Sequence, residues 1–590
     1  QCNVEFTVRD ERVLRVLARD HEGVDDGWLC DKGRFAYQSI HVDERITEPL
    51  VRDGGVLRPV SWERAMTTAA SALSKAKGRA AALAGGETTN EEGLLLARML
   101  REGLDSPDVD SRAGGVLPVE LYRALARPEL QATVPDLEWA QAVLVLDCEP
   151  VDDAPVLDLR LRKAVRRHRL RLAVATSRPS SLDPNAERSL RIAPGAGEAL
   201  LGALDAALAS SGDVDGLAAA AGVAVEDVRA LADLLSSAGG EVAIVWGERL
   251  ASGPRAAHAV RALLNVAARL ELGDTPGGGL LELPDGTNGR GLREAGVLPN
   301  AGPGYADAPA AGRPAKQIAG ALAEGELTTL HLLHADPLDT HPDRPLWERA
   351  LRRATTVIAH ESLMTETVRE HADVVFPAES YAEKEGTLTH PDGRLQRLRP
   401  AIGHPGGVRA GWRVLAELAE RIGHPLGVLT AGEATAQLAD AVPFYAGVTL
   451  DEIGGRGVNW QAREAASALP DAELGPFELE RPPAAPSPNG ALRLATFRSI
   501  WASKEVEASP ALKFLAPEQR VQLSPEDAQR LGVANGDPVE VVHDGVRVRG
   551  AALVHAAVPH GTTLLEIGTV ADSANALTNG EPRLVEVHRR

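Results

Sequence analysis

The feature that most constrains the fold is an order of elements that recurs along the chain: apolar strand, short turn, helix. An apolar run at 79–83 leads into Gly85-Gly86, and 88–92 then supplies a capping box for a helix. The run at 142–146 leads through Asp147-Cys148-Glu149-Pro150 into a helical pattern rich in Arg and Leu. This order predicts α/β layers built on parallel sheets, and the pattern continues at 170–175, 241–247, 327–333, 355–359 and 373–376.

Beyond residue 490 the pattern changes to alternation with a period of two. Residues 538–542 and 546–549 alternate on either side of His543-Asp544-Gly545, which is a hairpin signal. Together with 551–555 and 562–567 they predict a small β-barrel. Prolines concentrate just before this region and predict a linker at 471–490: Pro476, Pro482, Pro483, Pro486 and Pro488.

Composition excludes several classes of protein. The chain has 590 residues, enough for several domains, and a net charge of −20, which disfavours nucleic acid or an anionic membrane as main partner. Three cysteines exclude a disulfide framework, and no apolar run is long enough to span a membrane. The Gly/Pro-rich stretch 273–314 and the polar stretch 36–60 are interpreted as a long loop and a connection.

Two of the cysteines stand near the start of the chain. Cys2 precedes an alternating strand pattern at 3–8, a second apolar strand follows at 12–17, and a turn at 25–28 leads to Cys30. A hairpin that returns the second thiol toward the first indicates a thiolate metal site. The spacing alone is equally consistent with a second interpretation, in which the two cysteines are unrelated buried thiols. Cys148, at a predicted strand end, is interpreted as structural.

Cys2, Cys30 and the run Asp31-Lys32-Gly33-Arg34-Phe35 resemble the second half of the four-cysteine [4Fe-4S] motif of the molybdopterin oxidoreductase family. The chain begins at Gln1, so the motif's two upstream cysteines are expected before it. The resemblance implies that Cys2 and Cys30 ligate the cluster. It also implies that Lys32 lies between cluster and pterin, where a cation would stabilise a reduced, more negative centre.

Other stretches carry the same resemblance along nearly the whole chain. Residues 372–377, 383–387 and 392–396 resemble the family's internal signature, although 383–385 alone would be interpreted as a solvated charge run. Asn288-Gly289-Arg290-Gly291 resembles a loop that lines the family's central cleft. Within the family, 89–92 and 110–112 most resemble the G subunits of bacterial NADH–quinone oxidoreductases (complex I). The C-terminal stretches 523–528, 531–533, 536–537 and 575–578 resemble the family's double-psi barrel.

The resemblance implies a multi-domain α/β architecture with two sheet domains and a C-terminal double-psi β-barrel. The predicted divisions are a [4Fe-4S] remnant at 1–60, an α/β domain formed by 61–134 plus 321–470, an inserted α/β domain at 135–320, the linker at 471–490 and the barrel, similar to a molybdopterin-dinucleotide-binding domain, at 491–590.

Three functions are compared. An electron-transfer subunit would carry electrons from NADH toward quinone through a [4Fe-4S] cluster. An active molybdopterin enzyme, such as a formate dehydrogenase, would need a Cys, selenocysteine or Ser ligand, and 110–116 offers only Ser111. A cluster-free structural subunit is the third. We favour the first. The resemblance then implies a peripheral position on the cytoplasmic face of the bacterial inner membrane, beside the flavin-bearing subunit of complex I. The chain would reach the membrane only through that complex. The chain alone is expected to be inactive.

The turns after two predicted strands favour a cleft without molybdopterin. A pyrophosphate at a strand end needs glycine and free backbone N–H groups. Leu146-Asp147-Cys148-Glu149-Pro150 instead offers two carboxylates, and Leu333-His334-Ala335-Asp336-Pro337 offers an imidazole where glycine is expected. We therefore expect no molybdenum cofactor.

Overall fold

A computed structural model of the chain describes residues 2–484 and 489–590. The predicted α/β class with a C-terminal barrel is confirmed: the chain forms two large sheets, two small ones and a closed barrel. Gln1 and residues 485–488, which belong to the predicted linker, lie outside the described part.

The N-terminal unit is a hairpin followed by a short helix. Strands Val4–Arg9 and Arg12–Ala18 pair antiparallel, with Phe6 opposite Val16. Helix Asp31–Phe35 follows, and the apolar side chains of the hairpin pack with Leu29 and Ile40 in a small core. The two strands lie where the sequence pattern predicted them, whereas the helix was not predicted.

The first sheet has seven strands. Five of them are parallel, and the remaining two, Leu50–Asp53 and Val56–Pro59, add an antiparallel edge. Ala80–Ala84 pairs with Thr329–Leu333 although almost 250 residues separate them. Its strands, in order, are Val56–Pro59, Leu50–Asp53, Val374–Pro377, Thr356–Glu361, Thr329–Leu333, Ala80–Ala84 and Val109–Asp110.

Helices cover both faces of the first sheet, as its fully buried strands require. The helix Trp62–Lys75 begins at Ser61, whose side chain accepts a hydrogen bond from Arg64 N. The predicted capping box of Thr89 and Glu92 starts Asn90–Arg98. The other helices around this sheet are Ala315–Glu324, Pro337–Thr340, Arg344–Arg353, Glu366–His371, Gly411–Arg421 and Ala431–Ala441.

The second sheet has five parallel strands and comes from one continuous stretch of chain between two strands of the first sheet. In order, the strands are Gly279–Leu283, Val242–Gly247, Ala142–Leu146, Arg171–Thr176 and Arg188–Arg191. The helices around it are Val119–Leu125, Val134–Trp139, Pro150–Asp153, Pro155–His168, Gly197–Leu208, Val214–Ala221, Val225–Ser236 and Ala256–Arg269, with Gly289–Glu294 after its last strand.

The C-terminal barrel closes through six strands. Helix Lys504–Ala508 lies between its first two strands along the chain, and helix Pro525–Leu531 follows the second. A separate three-stranded sheet, near helix Leu450–Ile453, carries part of the predicted signature: Gly386–Thr389, Arg394–Leu398 and Val458–Asn459. The barrel strands, in order, are Leu492–Phe497, Thr562–Glu566, Arg520–Leu523, Val546–Val554, Pro538–His543 and Leu584–Arg589.

Two interpretations of loops were wrong. The stretch 36–60 holds a hairpin, Leu50–Asp53 with Val56–Pro59, whose Leu50 pairs with Val375 at the edge of the first sheet. The Gly/Pro-rich stretch 273–314 holds the edge strand Gly279–Leu283 and a helix. The domain divisions stay predictions. No helix among the described residues is long and apolar enough to cross a membrane.

Candidate functional site

The hairpin unit brings Cys2 and Cys30 toward each other. Asp25, fully buried, accepts hydrogen bonds from Asn3 N at 2.7 Å and Gly27 N at 3.1 Å, and so ties the turn before Cys30 to the residue after Cys2. Burial raises the pKa of the Cys2 thiol, and the nearby Cys30 thiol raises it further. Both thiols are partly exposed. The pair is therefore arranged as two adjacent donors at a surface.

Cys30 also begins the helix Asp31–Phe35. Its Sγ accepts a hydrogen bond from Gly33 N at 3.4 Å. A Cβ on Gly33 would lie 2.6 Å from Leu29 Cδ1, so a larger residue here would require the Leu29 side chain to move. The motif Cys-Asp-Lys-Gly thus fixes the position of the Cys30 thiol through its own backbone.

Lys32, partly exposed on this helix, lies near the segment that follows the first barrel strand. Burial opposes ionisation of Glu505, but the ammonium groups of Lys504 and Lys32 outweigh it and hold the pKa of Glu505 at about 2. Ser509 Oγ, on the same segment, donates to Phe35 O at 3.1 Å. Lys32 therefore stands between the cysteine unit and the cationic residue Lys504 of the interior.

The carboxyl edges of the two large sheets face each other across a gap that we call the central cleft. Asn288 N donates to Gly86 O at 3.1 Å, which joins the loop after Gly279–Leu283 to the loop after Ala80–Ala84. Arg249 Nη1, from the second sheet, donates to Thr496 O of the barrel at 2.6 Å. The cleft thus lies where parallel α/β sheets usually bind ligands.

At the first-sheet edge, the turn after Thr329–Leu333 is tightly packed. His334 adopts a left-handed backbone conformation with φ 51°. A Cβ on Gly85 would lie 1.8 Å from His334 O, so only glycine fits beside this turn. Burial, together with the charges of Lys384 and Lys504, holds the pKa of His334 well below its usual range, and the ring is neutral.

Lys384 is the cation at the centre of this edge. It is 2% exposed, and its Nζ lies 2.9 Å from Glu92 Oε2, 3.0 Å from Glu87 O and 2.9 Å from His334 Nε2. Because Nζ donates to His334 Nε2, the imidazole proton is on Nδ1. The interpretation of 383–385 as a solvated run is wrong here: Glu383 is equally buried and accepts two hydrogen bonds from Arg45.

A second lysine, Lys504, bridges two carboxylates of the same edge. Its Nζ lies 2.7 Å from Glu361 Oε1 and 2.9 Å from Glu87 Oε1. Loss of solvation within the cleft raises the pKa of Glu87 to about 7, although Lys504 opposes this. Glu87, His334 and Glu361 are close enough to hold a metal ion, but the two lysines already supply their counter-charges. The edge is thus neutralised internally.

The second-sheet edge has the same turn with different charges. Asp147 follows its strand with φ 49°. Burial raises the pKa of Asp147, and the charge of Asp153 raises it further, although the guanidinium of Arg249 opposes both. Glu149 accepts from Ser181 N and Oγ, yet its Oε2 has no hydrogen-bond partner among the described residues. Loss of solvation raises the pKa of Asp285 to about 7. Acids therefore predominate here.

The position where active family members would carry a metal ligand is filled. Ser111 Oγ donates to Val297 O at 2.9 Å. A Cβ on Gly114 would lie 2.0 Å from Ser252 Oγ, so a larger side chain does not fit. Cys148 lies in the core behind the second sheet, where burial raises the pKa of its thiol well above the usual range.

The residues present fit part of the implied cofactor set. Cys2 and Cys30 supply two adjacent thiols, half the donors of a [4Fe-4S] cluster. At the two strand ends, Asp147 and His334 occupy the left-handed positions, and the carboxylates around Asp147 do not fit a pyrophosphate. That the chain binds no molybdopterin nevertheless stays a prediction.

Sequence reasoning missed Lys384, Lys504, Glu87 and Glu361 as parts of the cleft. Lys384 was visible only as a member of a charged run, and its partners Glu92 and His334 lie 292 and 50 residues away. No local pattern marks such pairs. His331 of the neighbouring strand lies buried against His360, with ring centroids 4.9 Å apart.

Two facing α/β sheets, a closed barrel and an N-terminal unit with two cysteines define a multidomain α/β protein. Comparison with protein families makes this specific. The family model "Molybdopterin oxidoreductase" matches residues 45–421, and "Molydopterin dinucleotide binding domain" matches 492–588. The chain belongs to the molybdopterin oxidoreductase family. The model "NADH-ubiquinone oxidoreductase NDSU1/NuoG-like, 4Fe-4S domain" matches residues 1–38, so the N-terminal unit is an iron–sulfur domain of that type.

Among curated relatives, the G subunit of NADH-quinone oxidoreductase from Mycobacterium bovis is 32% identical over 92% of this chain and 63% of its own length. The alpha subunit of NADPH-Fe(3+) oxidoreductase from Geobacter sulfurreducens is 29% identical over 99% of this chain and 72% of its own length. The alpha subunit of F420-dependent formate dehydrogenase from Methanocaldococcus jannaschii is 22% identical, covering 98% and 94%. Among solved structures, acetylene hydratase from Pelobacter acetylenicus has a TM-score of 0.75 at 16% identity over 100% of this chain and 98% of that one, a likeness of fold.

Proposed function

We propose that this chain is part of an iron–sulfur electron-transfer subunit, similar to the G subunits of bacterial NADH–quinone oxidoreductases, that passes electrons from NADH toward quinone. The observation that carries the proposal is the pairing of Cys2 with Cys30 in a unit that matches the NuoG-like 4Fe-4S domain. The partners would be the other peripheral-arm subunits of complex I, including the flavin subunit, on the cytoplasmic face of the membrane. The relatives that support this are longer than the chain.

A [4Fe-4S] cluster, when bound, supplies one-electron transfer. The chain's own residues would hold it as follows. Cys2 and Cys30 provide two thiolates, and the Gly33 N–H directed at Cys30 Sγ stabilises negative charge on that sulfur. Lys32, partly exposed behind Cys30, adds a cation on the side of the cleft. Asp25 keeps the turn and the first strand in register.

The cleft is proposed to be vestigial. Lys384 and Lys504 pair with carboxylates of the protein rather than with an anionic ligand. Three observations support this. Ser252 leaves no room for a side chain at position 114, acids surround Asp147, and His334 stands where the resemblance predicts glycine. The barrel's match to a dinucleotide-binding domain is compatible with either outcome.

The test is iron and acid-labile sulfide analysis with EPR of the dithionite-reduced product of the complete reading frame. We expect Cys30→Ala to remove the signal of one cluster. Cys148→Ala, a buried thiol away from the site, is the matched control and should leave iron content unchanged. The 590-residue chain alone has two thiols at the site and should hold iron poorly after reconstitution. Four iron atoms per chain in that sample, surviving in Cys30→Ala, would refute the assignment.

Metal analysis tests the vestigial cleft. We expect the complete protein, co-expressed with the machinery that makes the pterin cofactor, to carry no stoichiometric molybdenum or tungsten. Stoichiometric metal together with formate-dependent dye reduction would instead support a formate dehydrogenase-like enzyme. That alternative has one observation in its favour, the near full-length match to the F420-dependent formate dehydrogenase.

A further inference from the structure

A small cavity lies beside the second sheet, apart from the cysteine unit. Its volume is about 30 Å³, enough for about two water-sized spheres. Strand Val242–Gly247 contributes Trp246, and helix Gly289–Glu294 contributes Arg290 and Arg293. The other polar residues of the wall are Arg112, Tyr122, Gln131, Glu282 and Tyr305.

The wall is held by a network of ion pairs. Each side-chain nitrogen of Arg112 donates a hydrogen bond. The acceptors are Glu248 Oε1, Tyr122 Oη at 2.8 Å and Ala251 O at 2.9 Å. Arg293 Nη2 donates to Glu282 Oε2 at 2.6 Å. Arg290 Nε donates to Glu294 Oε1 at 2.8 Å. The arginines are therefore rigidly positioned.

Three buried donors of this wall have no hydrogen-bond acceptor in the described part of the chain: Arg290 Nη2, Arg293 Nη1 and Trp246 Nε1. Their residues are 7%, 3% and 1% exposed. Arg293 Nη1 is 3.6 Å from Glu248 Oε2, too far for a hydrogen bond. A buried donor without an acceptor is costly, and such groups in folded proteins usually bind a ligand or ordered water. Because all three groups donate, the missing species must accept hydrogen bonds.

The charges around the cavity favour an anion over a neutral acceptor. Two of the three free donors belong to guanidinium groups, whose bonds to anions are the strongest of this type. Among the described residues, the only carboxylate that lines the cavity is Glu282, since Glu248 and Glu294 lie behind the arginines they pair with. Glu282 is itself paired with Arg293 Nη2 at 2.6 Å, so its charge is compensated within the wall.

We propose that this cavity binds one small monovalent anion, a halide or a carboxylate of the size of formate, between Trp246, Arg290 and Arg293. The anion completes the junction between the second sheet and helix Gly289–Glu294. This inference is independent of the electron-transfer function.

Bromide identifies the site directly. Crystals of the complete protein soaked in sodium bromide should show an anomalous peak in contact with Arg290 Nη2, Arg293 Nη1 and Trp246 Nε1. In solution, sodium formate should raise the melting temperature saturably above that in sodium gluconate, an anion too large for the cavity, at equal ionic strength. A response to bromide but not formate would assign a halide site, and the reverse a carboxylate site.

Variants connect the binding to these residues. Trp246→Phe keeps the ring and removes one donor, so half-saturation should need about tenfold more anion. Trp347→Phe, another fully buried tryptophan, is the matched control and should bind like the wild type. Glu282→Gln removes the lining carboxylate and should tighten binding severalfold.

Water alone in the bromide-soaked cavity, together with identical melting curves in formate and gluconate, would overturn the proposal. The wild-type crystal decides the matter even if a variant does not fold. Unchanged affinity in both Trp246→Phe and Glu282→Gln would equally refute the location.

Discussion

The turns after Ala142–Leu146 and Thr329–Leu333 have the same backbone and opposite electrostatic surroundings. In each, the residue after the strand is left-handed, Asp147 with φ 49° and His334 with φ 51°. Each leads into a four-residue helix that begins at proline, Pro150–Asp153 or Pro337–Thr340.

Beside each turn, a glycine of the neighbouring strand's carboxyl end approaches the left-handed residue: Gly85, just after Ala80–Ala84, and Gly247, the last residue of Val242–Gly247. A Cβ on Gly85 would meet His334 O at 1.8 Å, and one on Gly247 would meet Asp147 O at 2.7 Å. The charges then differ. At the first edge Glu87, Glu92 and Glu361 each pair with Lys384 or Lys504, whereas at the second Glu149 Oε2 has no hydrogen-bond partner among the described residues. The two turns therefore share their backbone geometry but not the pairing of the charges around them.

The largest expected effect is at the neutralised edge. Lys384→Met removes the partner of buried Glu92 and the donor to His334, so it should lower the free energy of unfolding by about 3–5 kcal/mol, as when one member of a buried ion pair is deleted. Urea denaturation measures this. Lys77→Met, in an exposed pair with Asp105, should cost less than about 1 kcal/mol. Equal losses would mean that the first edge is not held by Lys384.

Alanine substitutions at Gly85 and Gly247 test how closely each neighbouring backbone approaches its turn. Gly85→Ala forces backbone apart and should cost about 3 kcal/mol, and Gly247→Ala about 1–2 kcal/mol, because its contact is longer. Gly320→Ala, with open space around it on a helix, should be neutral or stabilising. Chemical denaturation of the three variants ranks them, and a reversed order of the first two would contradict the close approach at His334.

The smallest effect is the pH response of the acidic edge. The pKa of Asp147, which is 8% exposed, is raised in the folded state because burial opposes its ionisation. Its stabilising contribution is therefore complete below about pH 4 and is lost as the pH rises through its raised folded-state pKa. Asp147→Asn should flatten this decline in melting temperature above about pH 4. Asp10→Asn, at an exposed turn residue, should keep the wild-type slope. A slope unchanged by Asp147→Asn would show that burial does not raise the pKa of Asp147.

Local signals predicted most of the fold. The capping box of Thr89 and Glu92 and the buried strand at 142–146 were visible because each depends on residues a few positions apart. Strand Gly279–Leu283 was missed because Gly and Pro flank it. Hairpin 50–59 was missed because each of its four-residue strands has only two apolar residues, too few to show a pattern. Lys384 could not be recognised, since burial of a lysine depends on partners far away in the sequence.

The continuous origin of the second sheet bears on the order in which the chain folds. All five of its strands lie between Ala142 and Leu283, whereas the first sheet needs Ala80–Ala84 to meet Thr329–Leu333. Contacts between distant segments form slowly because closing the intervening loop costs entropy. During synthesis at roughly 5–20 residues per second, the second sheet can therefore be complete seconds before the first can close. An early, finished unit shortens the effective loop that the slower sheet must close, while Ala80–Ala84 waits without its partner strand.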